Sequence, residues 1–122
     1  MYELVVNLDF AAAHHLRGYH GKCESLHGHN WNVTVKVASD GLDSLGMVMD
    51  FKELKALCGA IFERLDHKHL NEVAPFDTIN PTTENLARHI YERLSENLPA
   101  HVTVVEVTTW ESADCGAVYR KD

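Results

Sequence analysis

Two long stretches of alternating apolar and polar residues constrain the fold of this chain more than any other feature. Between residues 2 and 14 every second residue is apolar, in the series Tyr2, Leu4, Val6, Leu8, Phe10 and Ala12. The pattern returns between residues 27 and 40, in the series Trp31, Val33, Val35 and Val37. Because successive side chains of a strand point to opposite faces, each stretch predicts a strand with one buried face. Residues 15–26 contain Gly18 and Gly21 and are typical of a loop.

Two helices are predicted after the second strand. Asp50 is a candidate N-cap with Glu53 three residues later, a spacing typical of a capping box. Apolar residues then recur at helical spacing, as Phe51, Leu54, Cys58, Ile61 and Leu65. The second helix begins within residues 80–84 and stops at Pro99, because proline cannot continue a helix. The predicted helices therefore cover residues 50–65 and 82–98.

The remaining residues predict two more strands and complete a single domain. Residues 102–110 are rich in Val and Thr, and residues 116–120 form a short last strand. The order ββααββ predicts one α+β domain over residues 1–122, an antiparallel sheet with both helices on one face. In the third strand Val102 and Val104 have one parity and Val105 and Val107 the other. We therefore expect the second face of that strand to be buried against other subunits.

Charge, hydropathy and cysteine content exclude several classes of function. The net charge of −7, without a cluster of five basic residues, argues against nucleic acid as a partner. An apolar run of about 20 residues is absent from the sequence, so we expect no membrane span and a cytoplasmic protein. Three cysteines cannot all pair, which favours reduced thiols. Nine histidines in 122 residues are the unusual feature, and they indicate a metal site.

Three of these histidines have positions that suit one metal ion. His27 and His29 lie two residues apart and share the apolar face of the second strand. His14 has the matching parity at the end of the first strand, so the three side chains adjoin if the two strands pair in antiparallel fashion. Three imidazoles suit Zn²⁺ and leave its fourth position open. Spacing alone does not decide between His14 and Cys23 as third ligand, and a closed site containing the thiolate would be structural.

Five short motifs occur in a fixed order that covers nearly the whole chain. They are Phe10-Ala11-Ala12-Ala13-His14, Cys23-x-x-x-His27-Gly28-His29, Asp66-His67, Asn80-Pro81-Thr82-Thr83-Glu84 and Glu111. Together they resemble the 6-pyruvoyl tetrahydropterin synthase family. The Cys-x-x-x-His-Gly-His form is similar to that of its bacterial branch, the 6-carboxy-5,6,7,8-tetrahydropterin synthases of queuosine biosynthesis.

The resemblance implies an assembly and a reaction. The fold would be the tunnelling fold (T-fold), in which sheets of a trimer join into a barrel and two trimers stack as a hexamer with active sites between subunits. The substrate would be 7,8-dihydroneopterin triphosphate, converted to 6-carboxytetrahydropterin with loss of acetaldehyde and triphosphate. Arg17, His20 and Lys22 on the loop are candidates for contacting the triphosphate.

The resemblance also implies a role for each motif. The zinc ligands would be His14, His27 and His29, with the ion acting as a Lewis acid on the side-chain oxygens of the substrate. Cys23 would be the general base, as a thiolate favoured by the nearby cation.

The remaining motifs would relay protons and hold the pterin ring. Asp66 and His67 would form a proton-relay pair. Glu111 would anchor the pterin by accepting two parallel N–H bonds. Thr82 and Thr83 would contact the ring, although either could equally serve as an N-cap.

Other functions stay open at this point. Within the family, the protein could form the 6-pyruvoyl product or cleave the side chain to a folate precursor. Members that cleave the side chain carry a glutamate two residues before the first motif histidine, where this chain has Ser25, with Glu24 one residue away. A cupin-like iron dioxygenase also uses His-x-His, although cupins are nearly all β. A non-catalytic, zinc-stabilised module is the third alternative.

Overall fold

A five-stranded sheet with two helices forms the protein, in a computed structural model that describes residues 1–20 and 24–121. The strands are β1 (Tyr2–His14), β2 (His27–Ser39), β3 (Lys68–His69), β4 (Thr103–Trp110) and β5 (Gly116–Tyr119), in the order β3-β1-β2-β4-β5. The helices are α1 (Phe51–Phe62) and α2 (Thr83–Ser95). The predicted α+β fold is confirmed, with the two-residue strand β3 as an addition.

The long pairing between β1 and β2 determines where the histidines lie. The two strands are antiparallel from Tyr2 opposite Ser39 to His14 opposite His27. The same register places Ala12 opposite His29, as expected for antiparallel neighbours. The apolar face of both strands is buried in the core together with side chains of α1 and α2. All three motif histidines therefore lie at one end of the core-facing side of the sheet.

Both helices begin at their predicted N-caps and end earlier than predicted. The Asp50 side chain accepts a hydrogen bond from Lys52 N at 2.8 Å. Helix α1 ends at Phe62 because the chain tightens there, with Leu65 N donating to Phe62 O. Helix α2 ends at Ser95, where the chain tightens in the same way with Asn97 N donating to Leu94 O, and the predicted end at residue 98 is disfavoured because that residue precedes Pro99.

A β-bulge in β4 overturns the prediction of two apolar faces. Val37 pairs with Val104 while the adjacent Lys36 pairs with Glu106, so Val105 is an extra residue. Because the extra residue reverses the alternation, Val107 returns to the core face and is fully buried, as Val104 nearly is. Placing Val107 on a second apolar face was therefore wrong. This strand gives no reason to expect a covering subunit.

The segment between the helices supplies the edge of the sheet beside β1. Strand β3 pairs in parallel with Ala12 and Ala13, and a 3₁₀ helix, Leu70–Glu72, follows it. This pairing was not predicted, because a two-residue strand has no alternation to detect. It brings the Asp66-His67 motif next to Ala11, near the end of β1 that carries His14. Within the described residues, neither helix has the length and apolar run needed to cross a bilayer.

Candidate functional site

The three motif histidines form a cluster at the end of the β1–β2 pair. One ligand nitrogen from each of His14, His27 and His29 lies within 4.8 Å of the others. The Nε2 atoms of His14 and His27 are 3.1 Å apart. A tetrahedral Zn²⁺ with bonds of about 2.0–2.1 Å holds its ligand nitrogens about 3.3 Å apart. The group can therefore hold a metal ion.

Main-chain carbonyls orient two of the rings. His14 Nδ1 lies 2.7 Å from Pro81 O, and His27 Nδ1 lies 2.9 Å from Ser25 O. A carbonyl oxygen only accepts, so both Nδ1 atoms carry the proton, and each neutral ring has its lone pair on Nε2. Two lone pairs facing each other at 3.1 Å repel unless a cation lies between them. This is the arrangement expected of metal-binding imidazoles whose second nitrogen bonds to the protein.

Burial at the cluster also favours a metal ion. His14 is 2% exposed, and this burial lowers its pKa, so that the neutral, ligating form is favoured. Among the described residues, the buried Nε2 of His29 has no hydrogen-bond partner. Leaving such a group unpaired costs about 1–3 kcal/mol. A metal ion bound by the three Nε2 atoms removes that cost.

The predicted pterin anchor lies against the histidine cluster. Glu111 directly follows β4, and its Oε1 is 3.6 Å from His29 Nε2 while its Oε2 is 4.0 Å from His14 Nε2. Thr83, the first residue of α2, donates its hydroxyl to Glu111 Oε2 at 3.1 Å. The fold thus brings together the motif histidines, Thr83 and Glu111 from distant parts of the sequence. The Glu111 side chain is 38% exposed, so a ligand can reach it.

Thr82 acts as the N-cap of α2. Its hydroxyl oxygen accepts a hydrogen bond from Asn85 N at 3.0 Å. Of the two interpretations of this residue from sequence, the N-cap is therefore observed. A contact between Thr82 and the pterin ring stays a prediction.

Asp66 and His67 lie beside β1 at Ala11, and His67 lines a cavity that His29 also lines. Asp66 Oδ1 accepts from Ala11 N at 2.9 Å and is 3.0 Å from His67 Nδ1. The bond from Ala11, followed by that from His67, holds the pKa of Asp66 below its usual value. Ala11 is three residues from His14, which is about 10 Å along a strand. In the described part of the chain, no hydrogen bond or ion pair joins this pair to the cluster.

Cys23 and Lys22 lie outside the described residues. The chain resumes at Glu24, whose backbone N donates to Leu16 O at 3.0 Å. Glu24 Oε1 is buried, has no hydrogen-bond partner in the part of the chain that the structure describes, and is 3.7 Å from His27 Nδ1. The residue after Cys23 therefore lies against a motif histidine.

Three residues of this region have roles that sequence reasoning missed. Arg17 is a candidate for contacting the triphosphate. Its guanidinium N–H groups donate to the carbonyls of Asn71 and Phe76 and so link the loop after β1 to the segment between the two helices. Asn80 bonds to the main chain of Arg17, and Pro81 supplies the carbonyl beneath His14. Asn80 and Pro81 belong to a recognised motif, but spacing cannot show partners more than 60 residues away.

Comparison with known proteins agrees with this geometry. The family model of 6-pyruvoyl tetrahydropterin synthase matches residues 3–122. The chain belongs to the 6-pyruvoyl tetrahydropterin synthase family. A solved structure of the Caenorhabditis elegans 6-pyruvoyl tetrahydropterin synthase superposes with a TM-score of 0.83 at 24% identity, covering 99% of this chain and 96% of that one. The fold is therefore that of the family.

Two relatives of this family member carry names of different activities. A dihydroneopterin monophosphate aldolase of Pyrococcus furiosus is 36% identical over 114 residues, 93% of each chain. A 6-carboxy-5,6,7,8-tetrahydropterin synthase of Synechocystis sp. is 39% identical over 119 residues, 93% of this chain and 91% of the relative. Similarity alone therefore leaves the reaction to be decided by the residues of the site.

Proposed function

We propose that this protein is a zinc-dependent 6-carboxy-5,6,7,8-tetrahydropterin synthase. It would convert 7,8-dihydroneopterin triphosphate to 6-carboxytetrahydropterin, acetaldehyde and triphosphate, as a lyase of queuosine and related deazapurine biosynthesis. The observation that carries the proposal is the carboxylate of Glu111, which is bonded to Thr83 and lies within 4.0 Å of two motif histidines. The sequence motif Cys23-x-x-x-His27-Gly28-His29, which resembles that of the 6-carboxy branch, favours this activity over others of the family.

Three residues would hold the zinc ion. His14, His27 and His29 each bring a ring nitrogen within 4.8 Å of the others, and the Nε2 of His29, which has no bonding partner in the described residues, supports this role. When bound, zinc would supply Lewis acidity to oxygen atoms of the substrate side chain. The three rings are held by β1 and β2, so the site is supported by the most extensive pairing of the sheet.

Glu111 and Thr83 would orient the pterin ring. A carboxylate accepts two parallel N–H bonds from a guanidine-like edge, which fixes both position and angle. The Thr83 hydroxyl holds Oε2 of Glu111 at 3.1 Å and thereby limits rotation of the carboxylate. A ring bound there would direct its side chain toward the histidine cluster.

Cys23 would remove a proton from the substrate side chain. A free thiol has a pKa near 8.5, and a cation four residues away in sequence favours the thiolate. Asp66 and His67 would complete the proton relay from a neighbouring subunit. Within one chain Asp66 bonds to the main chain of Ala11, and in the described residues no hydrogen bond or ion pair joins the pair to the histidine cluster.

Membership of the 6-pyruvoyl tetrahydropterin synthase family supports a homo-oligomer with sites between subunits. We propose the T-fold assembly, with three sheets joined into a barrel and two trimers stacked as a hexamer. A head-to-tail ring brings two different surfaces together at every contact, so it can combine the histidine cluster of one subunit with the Asp66-His67 pair of the next.

Cleavage of the side chain is a second candidate reaction. It is favoured by the buried Oε1 of Glu24, which is unpaired within residues 1–20 and 24–121, lies 3.7 Å from His27 Nδ1 and could accept a proton in place of Cys23. The aldolase name of the Pyrococcus furiosus relative points the same way. Incubation with 7,8-dihydroneopterin triphosphate separates the candidates. Acetaldehyde release marks the carboxy-forming reaction, and a product with a shortened side chain would favour cleavage.

Two alternatives from other classes of function were a cupin-like dioxygenase and a non-catalytic zinc-stabilised module. A cupin-like dioxygenase is contradicted by the two helices and by membership of the pterin synthase family. A non-catalytic zinc-stabilised module predicts that chelation dissolves the fold. We expect the fold to survive chelation, because the core of sheet and helices is extensive and is independent of the three histidines.

A further inference from the structure

Two asparagine side chains extend the hydrogen bonding of β1 beyond its end at His14. Asn71 Oδ1 accepts from His15 N at 3.0 Å, and Asn71 Nδ2 donates to His15 O at 2.9 Å. Asn80 makes the same pair of bonds with Arg17, at 2.8 Å and 2.9 Å. A carboxamide offers a donor and an acceptor side by side, so each side chain takes the place of a neighbouring strand.

Of these two asparagines, Asn80 directly precedes a residue that bonds to the histidine cluster. The next residue, Pro81, is buried and supplies the carbonyl that accepts from His14 Nδ1 at 2.7 Å. The carbonyl of Asn80 itself accepts from Asn85 Nδ2 in the first turn of α2, at 2.8 Å. The peptide that ends at the Pro81 carbonyl is therefore held on both sides, by Arg17 and by α2.

The carbonyl of Pro81 determines how His14 faces the cluster. A proton on Nδ1 leaves the lone pair on Nε2, and the bond also fixes the rotation of the ring. A displaced carbonyl would allow the other tautomer or a turned ring, either of which removes one ligand from the cluster.

We propose that Asn80 is a positioning residue of the metal centre. The Asn80 side chain bonds to the N and O atoms of Arg17 and thereby holds the Pro81 carbonyl against His14 Nδ1. This contact sets the tautomer and the orientation of the His14 ring. The proposal rests on the proposed function insofar as the cluster binds zinc. The sequence does not show this connection, because the hydrogen bonds that link Asn80 to His14 run through Arg17 and Pro81, which only the fold brings together.

The test compares Asn80→Ala with Asn71→Ala. Each substitution removes two bonds to the main chain, so both should lower the melting temperature by a similar amount. Zinc affinity is measured by chelator competition, and ligand geometry by the visible spectrum of the Co²⁺-loaded protein. We expect Asn80→Ala to weaken zinc binding about 10-fold, the lower end of the range for partners of metal ligands, and to alter the Co²⁺ spectrum.

Asn71→Ala is a demanding control because Asn71 holds the residue next to His14. We expect it to leave zinc affinity and the Co²⁺ spectrum unchanged. Asn80→Asp keeps the acceptor for Arg17 N and loses the donor, so it should fall between wild type and Asn80→Ala. If Asn80→Ala does not fold, Asn80→Asp takes its place in the comparison with Asn71→Ala.

Two results would overturn the proposal. One is an equal loss of zinc affinity in both alanine variants, which would mean that Asn80 stabilises only the fold. The other is an unchanged Co²⁺ spectrum and zinc affinity in both Asn80 variants. If the wild-type protein takes up no zinc, the proposed function fails, and the proposal is decided by the ¹⁵N chemical shifts of His14 in the metal-free protein. Asn80→Ala should then change the tautomer population of His14, and no change would refute the proposal.

Discussion

At the scale of single residues, the proposed chemistry requires one cysteine to ionise much more readily than another. Burial in the core raises the pKa of Cys58 to about 11, so its thiol is protonated at neutral pH. Cys23 precedes the motif histidines, whereas Cys115 is exposed between β4 and β5 and serves as the reference for an accessible thiol. We expect iodoacetamide at pH 7 to label Cys23 first, then Cys115, and Cys58 hardly at all.

Peptide mapping by mass spectrometry gives the three rates. If Cys23 reacts no faster than Cys115, the cation is not activating it and the assignment of the base is wrong. The variant Cys23→Ala should keep zinc and pterin binding and lose about 10²- to 10⁴-fold in turnover.

Glu111→Gln should weaken pterin binding while leaving zinc content unchanged. The amide keeps one acceptor and loses the charge, and charge-assisted bonds contribute about 1.5–3 kcal/mol, which corresponds to about a 10- to 150-fold loss of affinity. Titration of pterin fluorescence measures the affinity. Glu106→Gln is the matched control on β4, because Glu106 pairs with Lys36 and Arg120 and should leave pterin affinity unchanged. An unchanged affinity in Glu111→Gln would remove this residue from the site.

The sequence predicted those site residues whose positions follow from strand parity. His14, His27 and His29 could be placed on one face because a strand has a period of two, and their pairing followed once the strands were neighbours. The partners of these residues could not be predicted in this way. Pro81 O reaches His14 across 67 residues of sequence, and only the folded chain brings them together.

At the scale of elements, the packing of α2 should depend on pH through His89. Burial lowers the pKa of His89, and the charges of Arg93 and Arg64 lower it further against the opposing effect of Glu92 and Glu96. The folded protein therefore takes up this proton at a lower pH than the unfolded chain, whose histidine titrates near 6.5. As the pH falls below about 6.5 toward the lower folded pKa, the unfolded state is favoured and the free energy of unfolding decreases.

Urea unfolding at pH 7.5, 6.0 and 5.0 checks this prediction with His89→Gln as the comparison. The wild-type protein should lose more stability across this range than the variant. The three metal-cluster histidines are present in both proteins, so their own pH dependence cancels in the difference. Parallel curves for the two proteins would show that His89 titrates normally.

Element boundaries were predicted well where local chemistry determines them and poorly where tertiary pairing does. Asp50 and Thr82 cap the helices as their side chains suggest. The bulge at Val105 could not be located, because one extra residue in a Val- and Thr-rich strand changes no local preference. The apparent second apolar face arose because strict alternation along β4 does not allow for the extra residue Val105. Strand β3 is defined by pairing with β1 alone.

At the scale of the whole molecule, sharing of sites between subunits can be tested by complementation. Cys23→Ala and His67→Ala should each be nearly inactive. If they are refolded together, a site works only when its Cys23 donor and its His67 donor are both intact, and random assembly gives about a quarter of the sites. About a quarter of wild-type activity should therefore return. If mixed oligomers form and remain inactive, both residues act within one chain.

The central claim concerns the reaction, and the release of acetaldehyde tests it most directly. Zinc-loaded protein is incubated with 7,8-dihydroneopterin triphosphate, and acetaldehyde is measured beside the pterin product, with His29→Ala as the metal-site control. We expect one acetaldehyde for each 6-carboxytetrahydropterin formed, and neither product from the variant. Consumption of the substrate without acetaldehyde would contradict the proposed function and would assign the chain to another activity of its family.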